Sequence, residues 1–116
     1  MKPKVLVLIT SDPRTSGRPA EAIRIAAGVG TWKKADVSVY LGGSAVACLG
    51  EYVDELIEED NFTRYLPIVR EWGRPVWVEA GSVELAQLGE ASVPFAEIGV
   101  PELAEQIAQA TYVLRF

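Results

Sequence analysis

The sequence predicts an α/β fold: a single domain over 1–116, built on a five-stranded, mainly parallel sheet with helices on both faces. Three observations predict it. Short apolar runs alternate with stretches of helical period along the whole chain, as successive βαβ units require. The opening run Val5-Leu6-Val7-Leu8-Ile9 is continuous rather than alternating, the pattern of a parallel strand buried on both faces. No repeat, linker or low-complexity stretch interrupts the 116 residues, of which 49% are apolar and 23% charged, so one soluble core is expected.

Each element has its own local warrant. Residues 4–10 (KVLVLIT) form the first strand, and SDPRTSGRP, with two prolines and a glycine, is turn chemistry. Pro19 suits the first helical position, with Gly17 or Arg18 near the N-cap. Ile23, Ala26, Ala27 and Gly30 then recur at helical spacing and mark a buried stripe. Residues 36–41 (DVSVYL) read as the second strand, and Gly42-Gly43 turns it into a short helix opening at Ser44. A third helical region follows, broken near Asn61. Its first part puts Tyr52, Val53, Leu56 and Ile57 inward and leaves Glu51, Asp54, Glu55, Glu58, Glu59 and Asp60 on a solvated face. Its second part carries Phe62, Tyr65, Leu66, Val69 and Trp72 and stops at Gly73. Residues 75–80 (PVWVEA) read as the third strand, Ser82 to Leu88 as a short helix closed by Gly89, and Phe95 to Ile98 as a weak fourth strand. The last helix covers Pro101 to Gln109, with Val100, Leu103, Ala104, Ile107 and Ala108 inward, and Thr111 to Phe116 is the final strand. The whole is a small doubly wound, flavodoxin-like arrangement.

Composition removes several chemistries. With no histidine, the chain cannot build Ser-His-Asp or Cys-His nucleophilic sites or a histidine-containing zinc site. One cysteine, Cys48, excludes an internal disulfide and any CxxC pair. Sixteen acidic against eleven basic residues, with no basic stripe along the sequence, argue against nucleic acid or an anionic membrane as partner. The apolar opening run is too short for a signal-peptide core or a membrane span, so a cytoplasmic location is expected, where a free thiol is at home.

In such sheets ligands bind beyond the carboxyl ends of the strands. Four segments qualify: Thr10 to Arg18, Leu41 to Ser44, Glu79 to Ser82, and the stretch around Gly99. The first is the most polar, and Ser11, Arg14, Thr15, Ser16 and Gly17, with backbone amides near a helix start, are candidates for holding a phosphate or another anion. It has neither P-loop nor GxGxxG spacing. Gly43 and Ser44 after the second strand, and Glu79, Gly81 and Ser82 after the third, complete the ligand-binding candidates. The fifth strand, ending at Phe116, is expected to add little. The turns are too short to cover a flavin ring. A phosphoreceiver reading fails because Asp12 stands alone, Glu79 takes the place of the acceptor Asp, and no lysine follows the fifth strand. The acidic run offers no convergent second side of ligands, so no metal is expected, and its other use would be steering toward a basic partner. Cys48 is the one candidate nucleophile. Its apolar neighbours Ala45, Val46, Ala47 and Leu49 make a small buried packing residue the first reading, ahead of a reactive thiol. Trp77, flanked by Val76 and Val78, reads as a packing residue for a covering helix, and Trp32 and Trp72 at helix ends as core-edge residues able to anchor a subunit contact.

Taken together, the strand KVLVLIT, its Ser/Pro/Gly loop, the helix opening RPAEAIRIA, the segment DVSVYLGGSAVACLG and the closing TYVLRF resemble the DsrE/DsrF-like family of small sulfur-relay proteins. The terminal TYVLRF is similar to the end of DsrF/TusC-type subunits. The resemblance spans the chain in order and length. It implies the five-stranded α/β fold and assembly into dimers, trimers or hexamers. It also implies, in active members, a persulfide-bearing cysteine just after the third strand. Here Glu79, Ala80, Gly81 and Ser82 occupy that stretch, and Cys48 does not match it in chain order. The expectation is a noncatalytic interaction subunit, in a homo-oligomer or beside a cysteine-bearing family member, with no cofactor. The alternatives are a sulfurtransferase using Cys48 and an anion- or nucleotide-binding module using loop 10–18.

Overall fold

A computed structural model describes residues 2–51 and 53–116. Five strands, β1 (Lys4–Ile9), β2 (Asp36–Leu41), β3 (Val76–Glu79), β4 (Phe95–Ile98) and β5 (Tyr112–Arg115), form one sheet in which all neighbours run parallel. Four α-helices connect them: α1 (Arg18–Thr31), α2 (Glu59–Arg70), α3 (Val83–Gln87) and α4 (Val100–Gln109). The strand order is β4-β3-β2-β1-β5. Three connections step in one direction, and α4 then carries the chain back past β1 to the far edge. The order therefore reverses between β1 and β5, whereas in flavodoxin it reverses between β1 and β3.

The period-2 alternation of the strands sorts the core into two unequal halves. Val5, Val7 and Ile9 of β1, with Val37, Val39 and Leu41 of β2 and Val76 and Val78 of β3, face α1 and α2. There they meet Ile23, Ala26 and Ala27 of α1 and Phe62, Leu66 and Val69 of α2. Leu6, Leu8 and Tyr40 face the other way and pack with Trp77 and with Leu103 and Ile107 of α4. β1 is buried on both sides from Val5 onward, which explains its unbroken apolar run.

The short helix after β2 covers Gly43–Leu49 and is wound as a 3-10 helix. Several other local expectations are corrected. The acidic stretch before Asn61 is not a helix face: it holds a single 3-10 turn at Val53–Glu55, and α2 begins only at Glu59. Glu58 adopts a left-handed backbone (φ 57°) that ends any continuous helix there. The Ile57 amide bonds the Pro13 carbonyl (2.9 Å), which pins the segment to the first loop. Leu56 is buried as expected, but Ile57 is exposed, and Tyr52 lies outside the described residues. In α4, Leu103 and Ile107 are inward, while Val100, Ala104 and Ala108 are exposed. A ten-residue helix alone on its face buries only the narrow stripe that touches the sheet.

Candidate functional site

The carboxyl ends of the strands gather loop 10–18, the turn at Gly42-Gly43, the turn after β3 and the start of α4 at one edge. Loop 10–18 is drawn tight by its own hydrogen bonds. The Asp12 carboxylate accepts from the Arg14 amide (2.9 Å), and the Asp12 carbonyl accepts from the amides of Thr15 (3.2 Å) and Ser16 (3.0 Å). The Arg18 amide donates to Ser16 Oγ (3.1 Å). The amides of Arg14, Thr15, Ser16 and Arg18 are thus engaged within the loop.

The side chains are committed as well. Arg14 donates to both Glu84 carboxylate oxygens (3.3 and 3.0 Å) and also reaches Asp12 (3.4 Å), tying the loop to α3. The hydrogen bond to Glu84 raises the Arg14 pKa further above its ordinary value and keeps the guanidinium charged. Ser11 Oγ donates to the Phe116 carbonyl (2.8 Å), and Arg18 donates to the Arg115 carbonyl (3.2 Å). Arg115 of the fifth strand and the adjoining Phe116 thus anchor the first loop. Gly17 lies against Ile57 and Glu58. Asp12, Arg14 and Glu84 form one cluster, so a double-mutant cycle of Arg14→Ala and Glu84→Ala is expected to give a coupling of about 0.5–1 kcal/mol. Chemical denaturation of the four proteins measures it, and additive single variants would show that the pair holds nothing.

Of the other candidates, only Ser82 touches this cluster. Gly43 is exposed with φ +56°, a conformation that favours glycine, and Ser44 is half-buried. After β3, Glu79 is exposed and the Gly81 amide donates to Glu97 (3.3 Å). Ser82 Oγ accepts from the Glu84 amide (3.2 Å), so it caps α3. Cys48 is fully buried in the 3-10 segment between β2 and α2, and burial pushes its thiol pKa up. A cavity of about 280 Å³ opens near it, lined by Arg14, Ala47, Glu55, Glu84 and Leu88 but not by Cys48. Tyr40, buried under α4, has its pKa raised by burial and, to a lesser degree, by Glu79. Among the described residues no three potential ligands come close enough to hold a metal ion. Glu84 and Glu97 escape a sequence reading because nothing local distinguishes them from other surface glutamates.

A parallel five-stranded sheet in this order, with loop 10–18 tied to its fifth strand, can be compared with known proteins. The sequence signature of the DsrE/DsrF-like family matches residues 3–116. The chain belongs to the DsrE/DsrF-like family. A crystal structure of the ychN protein from E. coli superposes with a TM-score of 0.74 at 22% sequence identity, covering 100% of both chains. At that identity the likeness shows the fold. Curated protein sequences contain no match to this chain. Within this DsrE/DsrF-like protein, no helix is long and apolar enough to cross a membrane among the described residues.

Proposed function

We propose that this chain is a noncatalytic DsrE/DsrF-like subunit that contributes contact surface rather than a sulfur-carrying thiol to a cytoplasmic relay-type oligomer. One observation carries the reading: β3 ends in Glu79-Ala80-Gly81-Ser82 without a cysteine, while the chain's one thiol, Cys48, has no exposed surface. A persulfide needs an accessible thiolate, and burial both blocks approach and disfavours ionisation. Around the β3 turn the surface suits contact instead. Val83 and Val100, the first residues of α3 and α4, are 73% and 80% exposed. Tyr112 and Leu114 of edge strand β5 are exposed too, and apolar side chains at such places support subunit contacts with a second copy or a cysteine-bearing relative.

The test is mass spectrometry of the native protein after iodoacetamide, and separately after incubation with polysulfide. Cys48 is expected to stay unmodified until denaturant is added, and no added sulfur mass is expected on the native chain. A Ser82→Cys variant should react in the native state, because position 82 is only half-buried and directly follows the exposed Ala80 and Gly81. Rapid native labelling of Cys48, or a persulfide on it, would overturn the reading in favour of a Cys48 sulfurtransferase. Light scattering after size exclusion tests the assembly, and a monomer at every concentration, alone and mixed with a cysteine-bearing relative, would remove it.

A further inference from the structure

The two faces of the sheet are covered unequally. α1 and α2 lie on one, but the other has α4 alone. A helix is about 10 Å across and five strands span roughly 20 Å, so one helix leaves part of that face open. The opening lies at the amino ends of the strands, opposite the edge described above. It is a cleft of about 180 Å³ between the C-terminal half of α4 and the starts of β1, β2 and β3.

Its walls are chemically sorted. Leu6 and the half-buried Trp77 supply apolar surface, while Ser38, Gln106 and Gln109 supply uncharged donors. Arg74 and Asp36 also line it, but they neutralise each other at 2.7 Å. Lys4 remains, exposed and without an ion pair among the described residues. The surroundings add to its field. The loops and helix ends at this edge carry Lys2, Lys4, Lys33, Lys34, Arg70 and Arg74 against Asp36, Glu71 and Glu90, in a chain whose net charge is −5. A basic pole on an acidic molecule concentrates anions locally.

We infer that the cleft between α4 and the starts of β1–β3 is a binding site for a small aromatic monocarboxylate, its ring against Trp77 and Leu6 and its carboxylate at Lys4. The size fits, because a protein cavity of about 150 Å³ accepts benzene and this one has room for a ring with one substituent. Aromatic stacking on an indole and a charge-assisted bond to one lysine are both needed, so neither a bare anion nor a neutral ring satisfies the site.

Sodium benzoate is the probe, followed by two-dimensional ¹H–¹⁵N NMR of the full chain at pH 7. Saturable shifts are expected at the Trp77 indole N–H and the Ser38 amide, with a dissociation constant on the order of 1 mM for so small a ligand. Benzamide should bind at least tenfold more weakly, and sodium acetate should leave Trp77 unshifted. Lys4→Gln should weaken benzoate at least tenfold, while Lys2→Gln, at the same pole but outside the cleft, should change it less than twofold. Both lysines are exposed, so the variants fold, and their spectra report it directly. Gln106→Ala gives a second, milder loss. Shifts that do not saturate, shifts centred away from Trp77, or equal weakening by Lys4→Gln and Lys2→Gln would each overturn the site.

Discussion

Phe62→Ala is expected to lower the melting temperature by about 12–20 °C. Phe62 is 1% exposed and is among the largest side chains sealed in the α1–α2 face of the core. Removing a buried phenylalanine costs about 3–5 kcal/mol, part lost transfer energy and part the cavity left behind. For a chain of this length each kcal/mol is worth about 4 °C. Phe62 also lines one side of a groove of about 580 Å³ between α2 and residues 90–92, so water can enter the vacated space more readily than in a closed core. That places the cost toward the lower half of the range. Calorimetry of the wild type, Phe62→Ala and Phe62→Leu checks it. A loss below about 4 °C for the alanine variant would show that α2 is not part of one cooperative core.

The second large effect separates two glycines two residues apart in α1. Alanine normally stabilises a helix interior by about 0.5–1 kcal/mol over glycine. At Gly28 a Cβ would meet nothing within 4 Å, so Gly28→Ala should raise the melting temperature by about 2–4 °C. At Gly30 the same atom would stand 2.2 Å from the Trp72 ring. The indole must move, yet it is wedged beside α1 with its Nε1 buried and without a hydrogen-bond partner among the described residues. Gly30→Ala should therefore destabilise by about 1–3 kcal/mol, as overpacking does. Pairing it with Trp72→Leu should recover most of that loss relative to Trp72→Leu alone. Equal, stabilising effects at both glycines would mean that Trp72 does not pack against Gly30.

The elements most legible in the sequence are those whose signal is local. The unbroken run at β1 and the stripe through Ile23, Ala26 and Ala27 lie where periodicity places them, and β4 occupies Phe95–Ile98 as read. Local signals failed where distant contacts decide conformation. The acid-rich segment 51–60 carries an amphipathic pattern, but the tie between Ile57 and Pro13 and the left-handed Glu58 break it before α2. Val100, Ala104 and Ala108 look inward by spacing, but α4 meets the sheet along too narrow a line to bury them.

The site followed the same division. Loop 10–18 is recognisable as polar and turn-rich, yet the amides of Arg14, Thr15, Ser16 and Arg18 are taken up by Asp12 and Ser16, and its arginines by Glu84 and the Arg115 carbonyl. Residues 70 or more apart in sequence make the Arg14 and Arg18 contacts, and no pattern in the sequence announces them.

By itself, then, the sequence determined the fold class, the family, and the lack of a thiol after β3, because strand and helix periods and residue identity are local properties. The tertiary structure alone decided the strand order, the sealing of Cys48, and the placing of Lys4 and Trp77 along the wall of one cleft. Those depend on which strands pair and which face a single helix can cover. A lysine at the start of β1 and a tryptophan in β3 come to line one cleft only when parallel strands are laid side by side with β2 between them.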